Sequence, residues 1–425
     1  MQKRDFENTV GIVATERTFS EGPLRKPRKP MEYRAVGEPN RTPTHSVPTL
    51  STNTYPKKVL AMLPLPSEHC RWGFLSTAGI AKKNWRALAR TKHGRVAAVA
   101  SRDLATAQKF IDDCQGSCPQ KVTPKPYASY QALLEDPQID AVYIPLPTAL
   151  RKEWIIAAAK HGKHVLAEKP AALTAGELQE VLDECKANQV QFMDGVMFMH
   201  SQRLPMLRKT LDDGTSVGPI TRIATHFSFN GDDAFRKSNI RSNSNYEPHG
   251  ALGDLGWYNL RMILWVNGWR MPTSVTAKCL RTFQGDGSPR PVPAEFSAEL
   301  LFDNGVSASF YCSFVTQHQQ WVHISGEKGS VWVDDFVLPI FGSNVGYDVV
   351  QPEFNANECD FHMHRRVQRC SVAEYDSGHA PSQEINMFET FHAALRGKTP
   401  EESWGKMTLQ TQQVLDAVYR AAGCS

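Results

Sequence analysis

From Cys70 onward, short apolar runs alternate with stretches whose apolar positions recur at helical spacing. The runs Arg71–Thr77, Val96–Ser101, Ala141–Pro145, His164–Glu168 and Gln191–Asp194 predict strands. Between them, Ile80–Arg90, Leu104–Asp113, Tyr130–Glu135, Leu150–His161 and Ala175–Asn188 predict helices. Continuous apolar strands are covered on both faces, as in a parallel sheet. Strand–helix alternation then gives a doubly wound parallel sheet with right-handed crossovers, whose ligands lie at the carboxyl ends of the strands.

After Val217 the texture changes. Ile220–Asn230, Ser274–Phe283, Ala294–Phe302, Val306–Phe314, Trp321–Glu327 and Ser330–Val333 read as longer strands rich in β-branched and aromatic residues. Asp303-Asn304-Gly305 and Glu327-Lys328-Gly329 supply the positive φ that tight hairpins demand. Turns rather than helices join these strands, so a large, mostly antiparallel open sheet is expected. Glu384–Phe391 reads as a helix burying Met387, Phe388 and Phe391, and Thr408–Ala421 as a final helix that packs back on the body. No internal repeat is evident.

The first 68 residues differ. Seven prolines, from Pro23 to Pro56, stand among Arg, Ser, Thr and Asn with little apolar periodicity, which predicts a disordered tail. It lacks the apolar core of a secretory signal, and Asp5, Glu7, Glu16 and Glu21 argue against an organelle transit peptide. Met31 and Met62 are internal alternatives for the start. The 425 residues carry 48 Lys plus Arg against 44 Asp plus Glu, a net charge of +4. That balance gives no electrostatic case for nucleic acid or an anionic membrane surface, and no apolar run is long enough to span a bilayer. Nine cysteines without regular spacing do not form a secreted disulfide framework. Cys114-x3-Cys118 lacks a second pair and His362-x-His364 lacks a third ligand, so no metal is expected. A cytoplasmic location follows from these readings.

The chemistry begins at the first strand–helix turn, Ser76-Thr77-Ala78-Gly79-Ile80-Ala81, where a dinucleotide's pyrophosphate would meet helix N–H groups. Ser76 and Ala78 stand where G-x-G-x-x-G/A has its first two glycines. The second strand ends at Ser101-Arg102, a hydroxyl and a guanidinium suited to a 2′-phosphate, which favours NADP over NAD. Glu168-Lys169-Pro170 closes a strand that delivers its last residues to the ligand crevice. Downstream, Asp254 and Tyr258 are spaced to share a helix face, and a nearby ammonium would lower the tyrosine's pKa enough for proton transfer. A surface lysine and a core aromatic are the plain alternatives for Lys169 and Tyr258.

These segments occur in order with Leu146-Pro147-Thr148, Ala167-Glu168-Lys169-Pro170, Asp194-Gly-Val-Met-Phe-Met-His200 and Gly253-Asp-Leu-Gly-Trp-Tyr258. Together they resemble the glucose–fructose oxidoreductase / inositol dehydrogenase / MocA (Gfo/Idh/MocA) family of NAD(P)-dependent oxidoreductases, from Arg71 to Ala421. Tyr258, where inositol dehydrogenases carry His, is more similar to the dihydrodiol dehydrogenase and NADP-linked xylose dehydrogenase branch.

The resemblance implies a Rossmann domain (69–195), a substrate and oligomerisation domain (196–405) whose open sheet packs on a neighbouring subunit as a dimer or tetramer, and the helix 406–425. It implies Tyr258 as general acid/base, Lys169 as the group that tunes it, and Asp254 completing the hydrogen-bonded set. Ser76, Thr77, Ala78, Gly79, Ile80, Ser101, Arg102, Leu146, Pro147, Glu168, Lys169 and Pro170 would contact the cofactor, with Lys169–Pro170 in cis. His200, Arg203 and His249 are candidate substrate contacts. Arg151 stands where relatives often show His. The expected activity is hydride transfer between NADP, or NAD, and a sugar, polyol or cyclic diol. Two alternatives are a non-catalytic cofactor-binding regulator and an enzyme whose tightly bound NAD performs internal redox.

Overall fold

The computed structural model describes residues 69–424 except 377 and 398; the tail reading for residues 1–68 lies outside the described residues. The chain begins with β1 (Cys70–Leu75), α1 (Gly79–Leu88), β2 (Gly94–Ala100), α2 (Leu104–Ser117), β3 (Lys125–Tyr127) and α3 (Tyr130–Leu134). Then come β4 (Ala141–Ile144), α4 (Thr148–Lys160), β5 (His164–Ala167), α5 (Ala175–Ala187) and β6 (Phe192–Asp194). The six strands form a parallel sheet in the order β3-β2-β1-β4-β5-β6. That order reverses between β1 and β4, which puts the ligand crevice where those two strands end. β1, β4 and β5 are wholly buried, as their unbroken apolar runs predicted.

Polar side chains start three of these helices: Asp103, Ser129 and Thr174 each accept a backbone N–H in the first turn of α2, α3 and α5. The start of α1 has no such cap, because Ala78 offers no acceptor. Ser76 sits at φ 139°, a region that favours glycine, and its Oγ accepts the Ala78 N–H at 3.1 Å. The serine therefore keeps the turn that a glycine would make.

The second part comprises α6 (Arg203–Asp212), β7 (Ile220–Asn230), α7 (Asp233–Ser238), α8 (Trp257–Val266), β8 (Ser274–Phe283), β9 (Val292–Leu301) and β10 (Ser307–Ser313). It continues with β11 (Val315–Gly326), β12 (Ser330–Val333), β13 (Asn344–Asn357), β14 (Asp360–Ala373), α9 (Gln383–Leu395) and α10 (Ser403–Ala421). Its eight strands run β14-β13-β12-β11-β7-β10-β9-β8. Every pair is antiparallel except β10 with β7. One face carries Ile223, Phe310, Val322, Ile324 and Val331 into the core. The opposite face carries half-buried polar and aromatic groups, including His226, Tyr311, Trp321, His323 and Trp332.

The reading of the sequence omitted β13 and β14. Their outer halves are exposed on both faces, so no single apolar stripe announces them. The alternation Phe361, Met363, Val367 was the signal available. His362 and His364 lie on this exposed ribbon.

Two of the contacts that join the parts of the molecule are buried, one aromatic and one ionic. From α9, Phe388 meets the buried Trp72 of β1 edge-on at 5.2 Å, and His392 Nε2 accepts the Trp72 indole N–H at 2.9 Å. Burial pushes His392 down to about 3, which leaves its ring nitrogen free to accept. From α8, Arg261 pairs with Asp194 at the end of β6 and donates from Nε to Thr411 of α10 at 2.8 Å. Both members of the Arg261–Asp194 pair are inaccessible to water. Removing one member strands the other charge in the interior. Asp194→Asn or Arg261→Met should therefore cost about 3–5 kcal/mol of stability in a urea titration; a loss under about 1 kcal/mol would show that the pair does not hold α8 in place.

Candidate active site

At the carboxyl ends of β1, β4 and β5 opens a cleft of about 1050 Å³. Ala78, Gly79 and Ile80 line one side, Leu146 and Glu168 the floor, and Phe227, Arg241, Tyr258 and Leu338 the opposite wall. Lys169 leaves the end of β5 beside the cis Lys169–Pro170 bond. Its Nζ donates to Asp254 Oδ1 at 2.8 Å and to the Asp254 carbonyl at 2.6 Å. An ammonium has three N–H groups, so one remains for the cleft. The same Nζ lies 4.4 Å from the centre of the Tyr258 ring.

The segment before α8 makes this convergence. Gly250 has φ 47°, and a Cβ there would collide with the Pro293 carbonyl. From that turn Leu252–Gly256 winds as a π-helical turn that runs directly into α8. Asp254 lies in the π turn and Tyr258 in the first turn of α8. Arg241 completes the group: its Nε donates to Asp254 Oδ2 at 2.6 Å, opposite Lys169.

The electrostatics follow. Burial alone would raise the Asp254 carboxyl, but Arg241 and Lys169 together hold it well below the usual carboxylate range. Burial lowers Lys169, and Asp254 opposes that. Tyr258 goes the other way from the sequence expectation. Burial, with the Glu168 and Asp254 carboxylates adding to it, drives the phenol well above its ordinary value. Lys169 faces the ring rather than the hydroxyl, and among the described residues the Tyr258 hydroxyl makes only a long contact, 3.8 Å, to Met197 Sδ. The tyrosine thus stays protonated, with its O–H available to a ligand.

Of the predicted cofactor contacts, Ala78, Gly79, Ile80, Leu146, Glu168 and Lys169 line the cleft. Space beyond Gly79 is open, and the uncapped first amides of α1 face a site suited to a pyrophosphate. Two buried polar atoms on the cleft wall, Asn84 Oδ1 and Arg151 Nε, have no partner among the described residues. An opening walled by uncapped amides and orphaned polar atoms fits a dinucleotide. Ser76 and Thr77 shape the turn below, and Pro147 starts α4. Ser101 is buried, its N–H bonded to the Tyr127 carbonyl at 3.1 Å, and Arg102 is exposed at the end of β2. Asp103 is committed to capping α2, which leaves no free carboxylate at Ser101–Asp103.

Three predicted substrate contacts stand outside the residues that line the cleft. Arg203 is buried against Asp335 and donates to the Asp335 and Gly346 carbonyls. His200 stacks on Trp404 at 4.7 Å, and burial pushes it down to about 3. His249 meets Tyr419 edge-on at 4.7 Å, and burial pushes it down to about 4. Each is turned into packing by its own neighbours. Sequence reasoning missed Arg241, Asn84, Glu247 and His318, which line the cleft from separate segments with no motif spacing. Arg151, flagged as a departure, is buried and donates to Thr148 Oγ1 and the Pro170 carbonyl. Glu247 in turn accepts from the Thr148 N–H and hydroxyl at 2.9 and 2.6 Å.

Among the described residues, no helix is long and apolar enough to cross a membrane, and no group of three or more His, Cys, Asp or Glu is placed to hold a metal ion.

Residues 70–196 match the oxidoreductase family with NAD-binding Rossmann fold, and residues 206–332 match the GFO/IDH/MocA C-terminal domain. The chain is 31% identical over 353 residues to D-xylose 1-dehydrogenase (NADP(+)) 2 of Haloferax volcanii, covering 83% of this chain and 97% of that protein. It is 30% identical to the trans-1,2-dihydrobenzene-1,2-diol dehydrogenase of Bos taurus, over 61% of this chain and 72% of that one. A crystal structure of the 3-ketoreductase KijD10 from Actinomadura kijaniata, with NADP and TDP-benzene, shares the fold with a TM-score of 0.68 at 24% identity, covering 83% and 98% of the two chains. The chain, with its parallel sheet and its open antiparallel sheet, therefore belongs to the GFO/IDH/MocA family of NAD(P)-dependent oxidoreductases.

Proposed function

We propose that the protein is an NADP-preferring dehydrogenase that interconverts a secondary alcohol and a carbonyl on a sugar, polyol or cyclic diol. The observation that carries this reading is the convergence of Lys169, Asp254 and Tyr258 in one cleft, beside the uncapped start of α1. A protein that only sensed the cofactor would have no use for a buried phenol and ammonium side by side. The xylose and dihydrodiol dehydrogenases among its relatives act on substrates of the same chemical type.

The nicotinamide, when bound, supplies or accepts the hydride. The chain's own residues manage the proton and the pose. In the reducing direction Tyr258 donates its hydroxyl proton to the oxygen that develops negative charge, a role consistent with a phenol kept protonated by burial. In the oxidising direction the same oxygen receives that proton. Lys169, fixed by two bonds to Asp254, directs its remaining N–H at the reacting oxygen. Arg241 keeps Asp254 ionised, so that Lys169 has a fixed counter-charge. Ala78, Gly79 and Ile80 would hold the pyrophosphate, and Arg102 the 2′-phosphate.

The exposed face of the eight-stranded sheet supports assembly into a homo-oligomer. Trp321, His323 and Trp332 stack in sequence at 4.6 and 4.9 Å, and Arg365 lies 4.3 Å over the Trp332 ring. Phe354, Phe361, Met363 and Val367 extend the same face as exposed apolar groups, a surface that calls for a matching partner. A second copy related by a two-fold axis, presenting the same face, offers that match.

Three measurements test these readings. With a panel of sugars and diols, Tyr258→Phe should lower kcat by about 10²–10⁴ while NADPH still binds in a fluorescence titration; undiminished turnover would remove Tyr258 from the mechanism. Arg102→Ala should weaken NADPH by about tenfold or more and leave NADH unchanged, and equal losses for both would refute the 2′-phosphate role. Trp332→Glu should shift the sedimenting species to the monomer, whereas an unaltered oligomer would place the interface elsewhere. NADPH binding without turnover of any substrate would instead favour a regulator.

A further inference from the structure

We propose that Arg241 holds a carboxylate of the substrate, so that the protein acts on sugar acids of the aldonate type in preference to neutral sugars, polyols or diols. This rests on the dehydrogenase reading and narrows its substrate class. It also departs from the xylose and dihydrodiol dehydrogenases, whose named substrates are neutral.

The backbone that carries Arg241 is pinned. Asn239 Oδ1 accepts the Arg241 N–H at 3.0 Å, and the buried Ser242 donates its hydroxyl to the Asn239 carbonyl at 2.6 Å. The guanidinium is then set by the bond from its Nε to Asp254 Oδ2. An arginine has five N–H donors, so four remain on Nη1 and Nη2. Among the described residues neither Nη has an acceptor, and the side chain on the cleft wall is 38% exposed.

The carboxylates of the cleft are committed, whereas several donors are free. Both oxygens of Asp254 are taken, by Lys169 and Arg241, and both oxygens of Glu247 by the Thr148 N–H and hydroxyl. Glu168 accepts the Tyr143 hydroxyl at 2.6 Å. The free donors are the Arg241 Nη groups, the third N–H of Lys169, the Tyr258 hydroxyl and the buried Arg151 Nε. The orphaned acceptor Asn84 Oδ1 lies on α1, at the cofactor's end. A neutral polyol brings hydroxyls that donate as well as accept. A carboxylate only accepts, and its two coplanar oxygens match the planar guanidinium fork.

Lys169 and Arg241 bond opposite oxygens of one carboxylate. A group on the Arg241 fork therefore lies close to an oxygen held by Lys169, so acid and carbinol are near neighbours along the substrate. Two cations on Asp254 leave this trio with one positive charge, which a single carboxylate neutralises. A phosphate, close to two negative charges, exceeds it. The carboxylate takes no part in hydride or proton transfer.

The test is calorimetric binding to the full chain with NADP present. Matched pairs are compared: gluconate with glucitol, xylonate with xylitol, and glycerate with glycerol, alongside glucose 6-phosphate. At least one acid should bind about tenfold or more tightly than its polyol. Arg241→Met should cancel that ratio, which a general loosening of the site through Asp254 would leave unchanged. Should that variant not fold, Arg241→Lys keeps the charge without the fork and should lower the ratio. Acids no tighter than their polyols, no binding of any acid, an undiminished ratio in the variant, or glucose 6-phosphate ahead of every acid would each overturn the proposal. Turnover of neutral substrates without preference for acids would remove this inference and leave the dehydrogenase reading standing. Arg241-dependent acid binding with no turnover of any substrate would do the reverse.

Discussion

The helix that carries Tyr258 is held by one buried ion pair. Arg261, one turn beyond Tyr258, reaches Asp194 at the carboxyl end of β6, and both charges are shut away from water. A charge taken so deep is tolerable only with a partner in good geometry, so the pair admits little freedom of position. Thr411 accepts the remaining Arg261 Nε–H, which ties α10 into the same knot. The parallel sheet therefore meets α8 in one pose, and Tyr258 arrives over Lys169.

The second electrostatic decision lies at Asp254. Its two oxygens serve different cations, Lys169 on one side and Arg241 on the other. The carboxylate outweighs its own burial by keeping both partners, and Lys169 is orientated as a result. Tyr258 has no comparable support at its hydroxyl, which is why burial dominates and the phenol is retained. The site as built is thus better prepared to give a proton to an oxygen than to remove one. Substrate and cofactor charges entering the cleft would shift that balance.

The walls around this group show which of the side chains named from the sequence reach the cleft and which do not. The lysine after β5 and the Asp–Tyr pair could be named from the chain because each lies in a compact motif attached to a recognisable element. Arg203, His200 and His249 look equally functional in one dimension. Their neighbours Asp335, Trp404 and Tyr419 are more than a hundred residues away along the chain, and those contacts absorb them into the packing. Arg241 is the reverse case. It stands in an unremarkable segment, and only the turn at Gly250 and the π-helical Leu252–Gly256 bring Asp254 within its reach.

By itself the sequence determined the two-part architecture, the parallel sheet with its crossovers and the hairpin-rich second sheet, and it marked the lysine and tyrosine that meet in the candidate site. These are local properties: apolar period, turn chemistry and short motifs act over a few residues, so they can be read in order along the chain. Tertiary structure decided which charges are paired, which polar side chains face the cleft, and that Lys169 lies against the ring of Tyr258 rather than its hydroxyl. It also decided that the outer halves of β13 and β14 pair as an exposed ribbon. Burial and Coulomb interactions depend on distances between segments far apart in sequence, and those distances exist only once the chain has folded.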